Sequence, residues 1–445
     1  MEDLTNGSIA RHLLKTTGFM LVTMVFQTLY FLVDLYFVGR LGKEALAGVG
    51  IAGNLNFIVL AITQMLAVGT TTLISHAAGR KDQARAQLVL TQSLQLAVFI
   101  GALFFSSISV LRDAYVNTLS PDPVSATRSL EYLSWFIPAM ALQYPMVVMA
   151  AALRGTGNFR PGMVVQTATV IINIVLAPAL MFGWIGRRPM GVAGAGLASF
   201  VAIIVGTFWL AFYFFEVKSY LKLRAEYKPH GGMWATILKI GLPAGVEFAL
   251  VAVYLFIVYT VSRPFGAAAQ AGFGIGQRLI QAGFMPVVAL GFAAAPVAGQ
   301  NFGARKPERV RETFRRGALM GGGFMLLFTI VCQIIPEAMM RLFSSDPAVI
   351  AIGVEYLRIA TLSAAASGVI FVNGSMFQAM GNTIPPLVAS FMRITVVAIP
   401  TVLMARMARF ELRWLWWLSV AATLLQLAIN LFLLRREFRV RLRFA

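Results

Sequence analysis

Apolar residues run in long blocks along the chain, broken by short stretches that carry most of the charge. From Leu13 to Leu434 the blocks recur at about twenty residues each, enough for a helix to cross a hydrocarbon core of roughly 30 Å. The short alternating segments that a membrane barrel needs are not visible. Twelve spans follow, roughly 13–38, 46–74, 87–111, 130–153, 162–185, 192–216, 235–262, 270–298, 314–335, 354–378, 385–405 and 414–434. The pattern predicts an all-α polytopic membrane protein with twelve transmembrane helices. One connector stands out. Residues 217–234, VKSYLKLRAEYKPHGGMW, are charged and carry Pro229 and the Gly231-Gly232 pair at mid-chain. They read as a cytoplasmic linker between an N-terminal six-helix lobe (1–216) and a C-terminal six-helix lobe (235–445).

The blocks also repeat. Shifting the chain by 224 residues lays one half on the other almost without gaps. Gly50-Ile51 falls on Gly274-Ile275, and Gly79 in HAAGRKDQAR on Gly303 in QNFGARKPER. Asp122-Pro123 falls on Asp346-Pro347, and Glu131-Tyr132-Leu133 on Glu355-Tyr356-Leu357. Gly157-Asn158, ahead of Arg160-Pro161, falls on Gly381-Asn382, ahead of Ile384-Pro385. One constant offset at separate points marks an internal duplication. Six spans is an even number, so both halves enter the membrane from the same side as parallel repeats. Transporters of that plan work by alternating access between two rocking lobes.

Charge refines this picture. Of the 37 Lys and Arg residues, 23 fall on the side that holds the N-terminus and 11 on the other. The remaining three, Arg278, Arg358 and Arg393, lie within spans. The bias places both termini in the cytoplasm. The net charge of +19 therefore follows the positive-inside rule rather than a nucleic-acid surface. The single Cys332 lies in an apolar run and excludes a disulfide framework. The N-terminus has no signal-peptide pattern, and the first apolar run is long enough to remain as a span.

Two acids lie inside spans. Asp34 sits in FQTLYFLVDLYFVGRLG among Phe31, Leu32, Val33, Leu35, Tyr36 and Phe37. A carboxylate in such surroundings is costly and marks an ion or substrate pathway, the alternative being a structural acid paired with a basic group. Glu247, in GLPAGVEFAL, follows Pro243 by one helical turn near mid-membrane and is a second acidic site. The repeat mates of Asp34 and Glu247 are Val258 and Thr23, so the acids are not symmetric copies. Arg278 is read as a structural ion-pair partner for Glu247 or Glu355, with a cavity-facing position as the alternative.

The run VDLYFVGRLGKEALAGVGIAG, the loop GQNFGARKPERVR and the turns LRGTGNFRP and QAMGNTIPP resemble the multidrug and toxic compound extrusion (MATE) family, in particular its bacterial DinF-like branch. The resemblance covers essentially the whole chain in order. It implies a secondary active antiporter of the bacterial cytoplasmic membrane that exports amphipathic, mostly cationic compounds against inward H⁺ or Na⁺. It places an ion-coupling cluster at Asp34, Asn173 and Ser199. Family members often carry a second Asp in the fifth span; Ala177 stands there. Na⁺ is a hard cation that needs several oxygens, whereas a proton needs one carboxylate, and apolar burial favours a carboxylate's neutral form. H⁺ is therefore the favoured coupling ion, with Na⁺ at Asp34 as the alternative. The tenth span, AAASGVIFVNGSMFQAM, holds no acid, which weighs against a Na⁺ site in the second lobe. Gly18-Phe19 stands where the family often has Pro in the first span, so bending there would use Gly18.

Tyr30, Tyr36, Tyr144, Phe248, Tyr254, Gln281 and Asn373 are candidates for the substrate cavity. Aromatic faces hold flat cations, and the 21 Met residues suit an adaptable surface. The bland alternative for each is helix packing or lipid contact, and for Asn173 and Ser199 a hydrogen bond between helices. His12, His76 and His230 show no metal-ligand spacing. No Walker loop and no nucleophile–base arrangement is present. No enzyme activity, cofactor or metal is expected. Partners are small amphipathic solutes and membrane lipids, with no nucleic acid, and the chain is read as a monomer. A lipid-linked precursor flippase of the same superfamily is the alternative function, favoured only by the three arginines within spans.

Overall fold

The computed structural model describes residues 2–120, 122–184, 188–215, 220–222, 228–405, 407 and 409–443, and among these every regular element is a helix. Among the described residues, twelve helices or helix pairs are long and apolar enough to cross a membrane. The protein is a multi-pass membrane protein of two six-span repeats, as the hydrophobic pattern predicts.

The chain packs as two compact units, Met1–Asp3 with Gly18–Gly245, and Leu4–Thr17 with Val246–Ala445. The first contains most of α1 (Ile9–Gly39), then α2 (Lys43–Gly53), α3 (Leu55–Gly79), α4 (Gln83–Leu119), α5 (Pro123–Gly155), α6 (Phe159–Met181), α7 (Val192–Phe215) and the start of α8 (Gly231–Ser262). The second contains the rest of α8, then α9 (Ala267–Gly303), α10 (Pro307–Ile334), the short α11 (Pro336–Arg341), α12 (Pro347–Ala360), α13 (Ala364–Ala379), α14 (Ile384–Met404) and α15 (Leu412–Arg441). In the first unit α5 is the central helix, packed against α3, α4 and α7. In the second, α9 packs against α10, α12 and α13.

The units do not divide at the expected linker. Residues 217–219 and 223–227 of that linker lie outside the described residues. Its last four residues are helical, because α8 begins at Gly231. A helix's first amide groups have no intrahelical partner, and here the His230 carbonyl closes the opening turn by accepting from Met233 and Trp234. Met233 and Ile237 are then buried in the core of the first unit, at 4% and 0% exposure. Gly241 passes so close to α3 that a Cβ there would meet the Met65 carbonyl. Likewise Leu4, Ile9 and Leu13 are buried with Leu290, Val297 and Met376 in the second unit.

The duplication reappears in the backbone. Left-handed φ angles occur at Gly42 (112°) and Gly266 (88°), at Lys81 (59°) and Arg305 (56°), and at Gly157 (79°) and Gly381 (73°). Each pair is separated by the repeat offset of the sequence. Asp122 and Asp346, also repeat mates, both cap a helix by accepting a backbone N–H, from Ser125 and Ala348. Asn158 donates to the Tyr213 hydroxyl at 3.0 Å, and its mate Asn382 donates to Glu437, the mate of Tyr213, at 2.9 Å.

Some element ends differ from the hydrophobic blocks. The fifth span ends at Met181 rather than 185, where Gly183 (φ 75°) turns the chain; residues 185–187 lie outside the described residues. The second span is two helices meeting at Asn54. The tenth is α12 and α13 joined by a 3₁₀ turn, Thr361–Ser363. A tightened turn leaves carbonyls without their α-helical partners. Side chains of α10 take them: Thr329 donates to the Thr361 carbonyl and Gln333 to the Arg358 carbonyl, both at 2.8 Å.

Candidate functional site

Three of the residues assigned to ion coupling come together with Tyr30 in the first unit. Tyr30 and Asp34 are one turn apart on α1 and so share a face. Asn173 on α6 and Ser199 on α7 are each 4% exposed. Asn173 Nδ2 donates to Ser199 Oγ at 2.8 Å, Tyr30 Oη lies 3.2 Å from the same oxygen, and Ser199 Oγ donates to the Ala195 carbonyl at 3.2 Å. A hydroxyl has one proton and two lone pairs. Ser199 has one proton to give, to the Ala195 carbonyl or to the Tyr30 hydroxyl, and either oxygen can donate in the Tyr30–Ser199 bond. The hydroxyl is thus engaged on three sides, by Asn173, Tyr30 and Ala195.

Asp34 stands beside this network. It is close enough to Tyr30 and to Tyr132 on α5 to act on both electrostatically. Its Oδ1 is buried and has no hydrogen-bond partner among the described residues. An acceptor left so in an apolar setting is costly, and a proton or a cation at that oxygen relieves the cost. Ala177, one turn from Asn173 on α6, is 3% exposed and brings no oxygen side chain. Among the described residues no group of three or more His, Cys, Asp or Glu side chains is arranged to hold a metal ion.

A second polar cluster lies in the second unit. Ser390 Oγ on α14 donates to Glu247 Oε1 at 2.8 Å, and Gln426 Nε2 on α15 donates to Ser390 Oγ at 3.1 Å. Arg393, one turn past Ser390, acts on the Glu247 carboxylate electrostatically and lies over the Tyr254 ring, 5.8 Å from its centroid. Tyr254 Oη is 3.1 Å from Ser419 Oγ. Tyr254 is the repeat mate of Tyr30, so each repeat sets this tyrosine against a serine on its own last span. The partner expected for Glu247 was Arg278. Arg278 is exposed and makes no ion pair among the described residues, and Glu355 is exposed as well. The cation that acts on Glu247 is instead Arg393 of α14, which makes no ion pair with it among the described residues. Ser390, Gln426 and Arg393 were not singled out as site residues. The legible signal was the spacing of Ser419, Thr423, Gln426 and Asn430, which puts four polar groups on one face of α15.

The other candidates scatter. Tyr144 is fully buried in the core, edge-on to Phe104 at 5.7 Å. Tyr36 is exposed, with the Arg40 guanidinium 4.9 Å from its ring centroid. Gln281 is exposed and Phe248 half-buried. Asn373 is buried and donates to the Asn430 carbonyl at 3.1 Å.

A sequence model of the MatE family matches residues 20–179 and 243–404. Among curated relatives, the "Probable multidrug resistance protein NorM" of Thermotoga maritima is 27% identical over 379 residues, 84% of this chain and 81% of that protein. An FAD transporter of Shewanella oneidensis is 24% identical over 406 residues, 90% of this chain and 88% of that protein. The solved outward-facing structure of a multidrug resistance MATE family transporter of the MOP superfamily superposes with a TM-score of 0.90. It is 21% identical, with 99% of this chain and 98% of that one covered.

Proposed function

The chain belongs to the MatE family of membrane transporters, and from that premise we propose that it is an H⁺-coupled antiporter that exports amphipathic, mostly cationic compounds by alternating access. The observation that carries the coupling assignment is Asp34. Its Oδ1 is buried with no donor among the described residues, beside a Ser199 hydroxyl already engaged by Asn173, Tyr30 and Ala195. A proton satisfies that oxygen without asking anything of Ser199. A Na⁺ ion that used the Ser199 oxygen would compete with the bonds this hydroxyl already makes to Asn173 and Tyr30.

Exchange follows from charge. The ionised carboxylate favours a cationic solute, and the protonated one does not, so proton and substrate compete for one negative charge. A ligand shifts a conformational equilibrium only by its differential affinity for the two states. Opposing preferences of proton and substrate for outward- and inward-facing states therefore couple their movements. Glu247, with Ser390, Gln426 and Arg393, is assigned a second, separate role in the C-terminal repeat. Both termini are placed in the cytoplasm, in a bacterial inner membrane, with the protein a monomer. The name of the Shewanella relative keeps the substrate class open to test beyond cations.

The test is efflux from proteoliposomes of a fluorescent cation, with a pH gradient and a Na⁺ gradient imposed separately. The proposal expects transport with the pH gradient and loss of it in Asp34→Asn. Full pH-driven transport in Asp34→Asn overturns the coupling role. Transport driven only by the Na⁺ gradient overturns the choice of ion.

A further inference from the structure

Both α10 and α15 are longer than a bilayer core requires. Their 28 and 30 residues reach about 42 and 45 Å at 1.5 Å per residue, against roughly 30 Å of hydrocarbon. The start of α10 and the end of α15 meet through Phe314 and Phe438, whose rings pack edge to face at 6.2 Å. Residues 305–316 and 435–443 around this contact hold eleven Lys and Arg against three Glu. Each of those carboxylates is already engaged: Glu308 with Arg311, Glu312 with Arg316, and Glu437 with Arg441. Lys306 and Arg309 are turned toward the carbonyls of Thr5 and Gly7. Arg305, Arg315, Arg435, Arg436, Arg439 and Arg443 are exposed and make no ion pair among the described residues.

The duplication supplies a control. In the first repeat the mates of Arg315, Arg435, Arg436 and Arg439 are Thr91, Ala211, Phe212 and Phe215. The same fold position on the same side of the membrane therefore does not demand cations. At these four positions only the second repeat carries a cation. Their order along α15 matters too. Phe432, 67% exposed, is followed by Arg436, Arg439 and then Arg443 just past the helix end. Steps of four and three residues keep Phe432, Arg436 and Arg439 on one face, and Arg443 follows two residues beyond the last helical residue. An exposed apolar foot below a run of guanidinium groups matches the polarity of a phospholipid, acyl chain first and phosphate next. Guanidinium forks suit phosphate oxygens, and each juxtamembrane Lys or Arg adds about fivefold to binding of anionic lipid.

We infer that this face of the second unit docks an anionic phospholipid from the adjoining leaflet, with Arg436, Arg439 and Arg443 on its phosphate and Phe432 on its acyl chain. This stands apart from the choice of coupling ion and substrate. The test uses the full chain purified in detergent, titrated with phosphatidylglycerol or phosphatidylcholine of identical acyl chains and read by native mass spectrometry. Wild type should retain phosphatidylglycerol in preference to phosphatidylcholine. The triple variant R436Q/R439Q/R443Q should lose on the order of a hundredfold in phosphatidylglycerol affinity with phosphatidylcholine unchanged. The Lys version of the same three positions should keep most of it, which separates charge from misfolding. Equal affinity for the two lipids overturns the inference. So does an equal loss in R311Q/R316Q, whose arginines are already paired. Displacement of the lipid by an equal concentration of glycerol phosphate would also overturn it, since the site would then read free phosphate rather than a lipid.

Discussion

At the scale of single residues, the site turns on which lone pairs are already taken. Ser199 accepts from Asn173 and also bonds the Tyr30 hydroxyl and the Ala195 carbonyl. Ser199→Ala strands the buried Asn173 amide donor, at a cost of about 1–3 kcal/mol, and frees the Tyr30 hydroxyl as well. Ser199→Thr keeps the hydroxyl. The Ala variant should melt several degrees lower and transport less, with the Thr variant near wild type; equal melting of all three would contradict the hydrogen-bond assignment. The second cluster invites a double-mutant cycle. Glu247→Gln leaves Arg393 facing a neutral group, and Arg393→Gln leaves Glu247 with only the Ser390 hydroxyl. The pair is coupled if the double variant E247Q/R393Q is more stable than the sum of the singles implies, by roughly 0.5–3 kcal/mol. Strict additivity in thermal unfolding would show that the two charges do not communicate. This pair was not legible in the sequence. An acid in a span announces itself by its surroundings, as Asp34 and Glu247 did. Its partner is chosen by which distant helix turns which face toward it, and no spacing encodes that between α8 and α14.

At the scale of elements, caps and turns explain where helices stop. The Asp122 carboxylate accepts from the backbone N–H of Ser125 at 2.8 Å and from its hydroxyl at 2.7 Å, opening α5. These bonds, the backbone one foremost, hold its pKa below the ordinary value near 3.8. A carboxylate so lowered lends stability that is full above the unfolded value and lost as pH falls through the folded one. Asn caps as well as Asp but does not titrate in this range. Asp122→Asn should therefore match wild type in thermal unfolding at neutral pH and fall less steeply below pH 4. Asp122→Ala should melt lower at both. An Asn variant with the wild-type acid slope would remove the cap from the account. Hydropathy located all twelve spans, because length and apolarity are properties of the segment itself. It placed the third span at 87–111 where α4 runs Gln83–Leu119, since hydropathy sees the lipid-facing turns and not their polar extensions. It also missed the 3₁₀ turn at Thr361–Ser363, which is satisfied by Thr329 and Gln333 from another helix.

At the scale of the whole molecule, the duplication was readable as an offset, and the left-handed turns at its mates show the same chain path laid down twice. What the offset did not reveal is where the compact units begin. The opening turns of α8, with Met233 and Ile237, complete the core of the first unit, and Leu4, Ile9 and Leu13 complete that of the second. Each sequence half thus lacks part of its own packing. A fully buried aliphatic side chain contributes about 1.5–3 kcal/mol, so removing Met233 and Ile237 takes away a sizeable share of a stability that is of order 5–15 kcal/mol. Residues 1–222 and 228–445 expressed separately should therefore fail to accumulate as monodisperse protein. Expressed together they should assemble, because the missing segments are supplied across the cut, and should recover dye efflux in proteoliposomes. A stable, monodisperse product from residues 1–222 alone would show that the first repeat closes its core without α8.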